Sequence, residues 1–189
     1  MGAGAPVNGS AVAPTDARDA LDVLALLHAR FGYDFRDYAA PSLTRRLHHA
    51  RGELGCRSWG EVCERLDHTP ALARRFADAL TIQVGDLFRD PPFYRAIRDT
   101  VSPHLRTFPS IRVWVAGCGT GEELYSLAVL FREEGVFDRT VFYATDISAR
   151  ALRIAEAGVY DIGRAAAFGL HHHASGGRSS LSAHYTAAY

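Results

Sequence analysis

The stretch Arg112-Val113-Trp114-Val115-Ala116-Gly117-Cys118-Gly119-Thr120-Gly121-Glu122-Glu123-Leu124-Tyr125-Ser126-Leu127-Ala128 decides the reading of this chain. Ile111–Ala116 is a short apolar run rich in branched and aromatic residues, the pattern of a strand buried on both faces of a parallel sheet. Glycines follow at 117, 119 and 121, where a strand turning sharply into a helix brings its backbone close to a ligand. Over 122–134, Leu124, Leu127, Ala128 and Phe131 recur at helical spacing, and Thr140–Thr145 repeats the strand pattern. Strand, glycine turn, helix and strand in that order make a βαβ unit, so the fold class is α/β.

Downstream, Ser148 is placed to cap a helix through Ala157, and 158–189 is rich in Gly, Ser, Ala and His with little periodicity. The run His171-His172-His173 is expected to lie in a polar loop, and with no spaced acidic or Cys partner it assigns no metal. Upstream, Leu21, Leu24, Leu27, His28 and Phe31 predict a first helix with Asp16 as N-cap and Gly32 as its stop. Pro41 and Ser42 open a second, with Leu43, Leu47, Ala50 and Leu54 on its apolar stripe; Ser58 caps a third and Thr69-Pro70 starts a fourth. The expected organisation is a flexible tail over 1–15, an all-helical domain over 16–80, a linker helix region over 81–110 and a nucleotide-binding type of domain over 111–189. Trp59 and Trp114 read as core residues.

Bulk properties exclude more than they assign. With 48% hydrophobic and 22% charged residues the chain is of ordinary globular composition, and a formal net charge of zero offers no field for nucleic acid or membrane. Cys56, Cys63 and Cys118 contain no C-x-x-C pair, which fits a reducing cytoplasm, and the leading residues lack the basic and apolar regions of a secretory signal.

The glycine turn asks for a cofactor with a ribose, because Asp146 stands at the next strand end, where a carboxylate can accept two ribose hydroxyls. Glu122 and Glu123 at the helix start would repel a pyrophosphate and suit the cationic methionine end of S-adenosylmethionine. Each feature also has a bland reading: glycines serving a tight turn, glutamates favouring the helix dipole, Asp146 capping a helix.

The residues of 112–128 resemble the R-x-W-x-A-x-C-S-T-G-E-E-P-Y-S-x-A signature of CheR-type protein-glutamate methyltransferases. Leu87-Phe88-Arg89-Asp90 with Phe93 resembles that family's T-x-F-F-R-[DE] segment, and Ala144-Thr145-Asp146-Ile147-Ser148 with Ala155, Gly158, Val159 and Tyr160 resembles a later one, as does Leu181-Ser182-Ala183-His184-Tyr185. The resemblance implies a small all-helical N-terminal domain followed by a Rossmann-like class I methyltransferase domain that binds S-adenosylmethionine. It implies that Arg89 lies beside the reacting methyl, Glu122 holds the cofactor's amino-acid end, Asp146 its ribose, and the Ala116 backbone lines the seat. Gln83 and Gly85 stand where the family usually carries Asn and Thr, and carry over by position; Leu87 and Gly119 depart from Phe and Ser.

The implied reaction methylates glutamate side chains of chemotaxis receptors. The basic side of the second helix, Arg45, Arg46, His49 and Arg51, is expected to meet an acidic, helical receptor segment, or else to be a solvated face. The implied enzyme is a cytoplasmic monomer that neither binds nucleic acid nor inserts into membrane. Its sheet would have seven strands, of which two are expected here, so the domain is expected to be incomplete, with exposed apolar edges and no independent turnover. A docking module without catalysis, or a gene fragment, is the alternative.

Overall fold

The structure, a computed structural model, describes residues 14–81 and 85–187. The chain divides into two compact units, 1–81 and 82–189.

Unit 1 holds four helices, α1 (Pro14–Phe31), α2 (Ala40–Glu53), α3 (Trp59–His68) and α4 (Pro70–Leu80). Proline opens α2 and α4 within their first turn, where its missing N–H costs nothing, and Ser58 Oγ accepts from Glu61 N at 3.2 Å to cap α3. Gly32, at φ +74°, follows the end of α1. The start of α1 differs from expectation: the helix begins at Pro14, so Asp16 lies inside it and does not cap it. Most of the expected tail, residues 1–13, lies outside the described residues.

The apolar phase of α1 also differs. Ala20, Val23 and Leu27 are buried, whereas Leu21 is 62% exposed. Two overlapping apolar rows run along this helix, and the one that meets Trp59, Val62, Leu66, Phe76 and Leu80 is the one buried. Each such fully buried large side chain contributes about 1.5–3 kcal/mol. Trp59 is in the core as expected.

Unit 2 opens with α5 (Pro91–Ala96), a π-helical turn over Ile97–Val101 and α6 (Ser102–Leu105), which run on without a break. The wide turn precedes Pro103, whose ring would collide with the carbonyl four residues back in a regular helix. Strand β1 (Ile111–Ala116), α7 (Glu122–Glu133) and β2 (Thr140–Thr145) follow, then α8 (Ala149–Ala157) and α9 (Ala165–Ala174). The strands pair in parallel from Ile111↔Thr140 to Ala116↔Thr145, closing the βαβ unit.

Burial on both faces of this sheet, expected from sequence, is not what the structure has. Ile111, Val113, Val115, Phe142 and Ala144 turn towards a core shared with Leu127, Leu130 and Phe131 of α7. On the opposite face Trp114 is 72% exposed, with Val141 and Tyr143 more than half exposed, so Trp114 is not a core residue. A continuous apolar run states that both faces are apolar; it does not say which elements cover them.

The expected polar loop over the histidines is also corrected. They lie in α9, and His172 is 2% exposed against the ring of Phe88, centroids 4.9 Å apart. Only Phe168 and His172 of α9 are buried, which leaves no apolar stripe for a sequence reading to find.

Candidate cofactor site

The segment before α5 makes one wall of a cleft lined by Gly85, Asp86, Arg89, Tyr94, Glu122 and the 117–120 turn, enclosing about 590 Å³ open to solvent. Phe88 is wholly buried, at φ +55°, a left-handed conformation that is uncommon for a bulky residue. Two features hold it there: its N–H donates to Ser126 Oγ at 2.8 Å, and its ring packs on Tyr94 and His172. Ser126 in turn donates to Glu122 O at 2.6 Å, so the first turns of α7 anchor the bend that presents Arg89 to the cleft. Burial pushes the Tyr94 phenol up to about 12, so it is neutral at ordinary pH.

The opposite wall is the glycine turn. Gly117, Gly119 and Gly121 have φ of 71°, 54° and 97°, which side chains other than hydrogen rarely adopt. A Cβ on Gly117 or Gly119 would meet nothing within 4 Å, so the backbone there is open; one on Gly121 would strike Tyr160 Oη at 2.8 Å and Ala155 at 2.9 Å. The first two positions thus give access, the third close packing onto α8. Gly119 N donates to Asp146 Oδ2 at 2.9 Å and Ser148 N to Oδ1 at 2.8 Å. These bonds fix the carboxylate and leave each oxygen a further lone pair.

Glu122 opens α7 yet is only 4% exposed, unlike a residue that merely favours the helix dipole from the surface. Thr120 Oγ1 donates to Oε2 at 2.5 Å. Arg164 Nη1 lies 3.6 Å from Oε1, beyond hydrogen-bond reach. Gly85 packs so closely that a Cβ there would sit 2.7 Å from Oε2. Glu123 is exposed on the cleft rim.

The residues expected from sequence are placed as follows. Gly85, Arg89 and Glu122 line one cleft, and Asp146 joins it through Gly119 N. Ala116 ends β1 beside the turn, with its backbone paired to Thr145. Gln83 lies outside the described residues. On α2, Arg45 and His49 are exposed on one row, with His49 3.6 Å from Glu53. Arg46 is drawn onto Thr81 O, and Arg51 stacks over Trp59 at 4.4 Å, so these two also serve unit 1 itself.

Residues 19–81 match the family described as CheR methyltransferase, all-alpha domain, and residues 83–173 the CheR methyltransferase, SAM binding domain. The chain belongs to the CheR methyltransferase family. S-adenosylmethionine is the cofactor of that domain, and the open glycine turn, the fixed Asp146 carboxylate and the buried Glu122 fit it. This CheR-family chain is 42% identical over 163 residues to "Putative methyltransferase Cher3" of Pseudomonas putida, a match over 86% of the chain and 60% of that protein. It is 36% identical over 124 residues to "Chemotaxis protein methyltransferase 2" of Pseudomonas aeruginosa, over 65% of the chain and 43% of the relative. With "Chemotaxis protein methyltransferase" of Listeria monocytogenes it shares 28% over 149 residues, 57% of the relative's length. No helix among the described residues is long and apolar enough to cross a membrane.

Sequence reasoning missed a buried polar cluster behind the cleft. Arg98, 6% exposed, reaches Glu134 at 3.1 Å, Glu133, and Ser175 O at 3.1 Å, while Arg106 pairs with Glu134. Glu133 Oε1 also accepts from Ser179 Oγ at 2.7 Å and Ser179 N at 3.1 Å, and lies 3.2 Å from His172 Nε2. Burial alone would raise Glu133, but the Ser179 and Arg98 hydrogen bonds outweigh it and hold the carboxyl down at about 2. Desolvation lowers His172, which therefore stays neutral and donates to Glu133. In the sequence these are surface-type charges without periodicity, so no local signal announces them.

Proposed function

We propose that this chain carries the cofactor seat of an S-adenosylmethionine-dependent methyltransferase acting on glutamate side chains of chemotaxis receptors. One observation carries the reading: Asp146, tied to Gly119 N, and Glu122, buried at the start of α7, flank the same open glycine turn across from Arg89. The family and the names of the relatives support methyl transfer in chemotaxis, and glutamate O-methylation extends that to the acceptor atom. Bound S-adenosylmethionine supplies an electrophilic sulfonium methyl.

This chain's residues bind and orient. Asp146 accepts the ribose hydroxyls, and Glu122 the α-ammonium. Arg89 presents a cation to the incoming carboxylate, which is already ionised near pH 7 with a reference pKa of about 4.3, so no general base is needed. Asp86 is engaged by Arg164, and Arg89 lines the cleft beside it. Arg45 and His49 give an acidic receptor helix a basic row, an arrangement that guides register and encounter more than affinity. The chain spans about 60% of the first relative and less than half of the second, and the Trp114, Val141 and Tyr143 face is open.

Calorimetric titration of S-adenosylhomocysteine into the chain tests it, with Asp146→Ala as control. Binding that disappears in the control is expected; a folded chain that binds nothing refutes the proposal.

A further inference from the structure

Arg164 stands at the N-terminal edge of α9, remote in sequence from the glycine turn, yet three groups of the cleft wall converge on it. Its Nη2 donates to Gly85 O and to Asp86 Oδ1, and its Nη1 lies 3.6 Å from Glu122 Oε1. The guanidinium is stacked over Phe168 at 4.8 Å, and Phe168 is buried, so the fork has a fixed plane. The planar fork thus hydrogen-bonds two acceptors and holds its charge at ion-pair distance from a third group, in an orientation that the stacked ring fixes.

The two oxygens of Glu122 are treated differently. Oε2 takes the Thr120 hydroxyl and sits against Gly85, where a Cβ would approach to 2.7 Å. Oε1 faces Arg164 at ion-pair distance and takes no hydrogen bond among the described residues. The carboxylate is thus steered from one side and held from the other, with lone pairs left on the steered oxygen. Charge points the same way: Asp86, Glu122 and Arg164 sum to one negative charge, matched to a single ammonium. Without Arg164 the cluster would carry two, which repels the carboxylate that accompanies the ammonium of an amino acid.

We infer that Arg164 is a positioning residue for the amino-acid end of the cofactor, acting through Glu122, the Gly85 carbonyl and the Asp86 carboxylate. The inference rests on the cofactor reading above and adds to it the residue that sets its selectivity for a zwitterionic tail. A purely structural salt bridge would make the same contacts but would not distinguish ligands with that tail from ligands without it.

The distinguishing pair is S-adenosylhomocysteine, which carries the amino-acid end, and 5′-methylthioadenosine, which keeps the adenosine thioether and lacks it. Both are titrated calorimetrically into the parent chain and into Arg164→Gln. The expected result is about a tenfold loss of S-adenosylhomocysteine affinity, the size of one charge-assisted contact, with 5′-methylthioadenosine changed by less than about twofold. An equal loss for both ligands, or no loss for either, overturns the assignment and leaves the cofactor reading standing. Failure of both ligands to bind the parent chain overturns the cofactor reading and the assignment with it.

Discussion

The backbone N–H of Phe88 donates to the side-chain oxygen of Ser126 at 2.8 Å, joining the bend that carries Arg89 to the second turn of α7. Both residues are fully buried. Ser126→Ala leaves that N–H without a partner, and an unpaired buried donor costs about 1–3 kcal/mol. The expected outcome is an unfolding free energy for unit 2 lower by that amount, read as a lower urea midpoint with unchanged slope. A midpoint within experimental error of the parent would show that the bend at φ +55° holds without this bond.

Acid should weaken unit 2 in two stages. His172 is lowered from its usual 6.5 by burial, so its contribution is complete above that pH and declines as pH falls below it. Glu133 is held at about 2 against a usual 4.5, so its contribution is complete above 4.5 and is lost between 4.5 and about 2. Both shifts act in the same direction. Thermal melts between pH 8 and pH 3 should fall below about pH 6.5 and again below about pH 4.5, and His172→Gln should remove the first decline only.

Gly177 approaches His172 so closely that a Cβ would lie 2.3 Å from its ring, and that ring is buried and bonded to Glu133. Gly177→Ala must therefore push the ring away from Glu133 or move its own segment. A loss of about 1–3 kcal/mol is expected, as for other overpacked sites. Equilibrium unfolding measures it, and a neutral result would place the 177–179 segment away from the cluster.

The open sheet face predicts self-association more than instability. Val141 and Tyr143 are 52% and 53% exposed beside Trp114. Replacing both by threonine keeps strand-forming residues and removes apolar surface, so stability should stay within about 0.5 kcal/mol of the parent. Sedimentation velocity should show fewer oligomers in the variant; unchanged association would place the contact elsewhere.

Much of unit 1 was legible because its rules are local. Ser58, Pro41 and Pro70 mark helix starts wherever they occur, and Gly32 marks a stop. Even there α1 showed the limit: Leu21 and Val23 are equally apolar, and only contact with α3 and α4 decided that Val23 turns inward. The glycine turn, Glu122 and Asp146 were legible for another reason: a strand, a tight turn and a helix impose residue types at set spacing. Arg164 and Arg98 were not, since nothing in a sequence tells an arginine that pairs with carboxylates of distant segments from one that faces solvent.

By itself, then, the amino-acid order determined the helices of unit 1, the parallel βαβ unit of unit 2, the family and the cofactor it implies, because backbone sterics and hydrophobic period act over a few neighbouring residues. The tertiary structure alone decided which face of the sheet is covered, that His172 is interior, and that Arg164 is brought against Gly85 and Glu122. Those outcomes depend on desolvation and charge pairing between residues far apart in the chain, and such energies exist only once folding has brought the groups together.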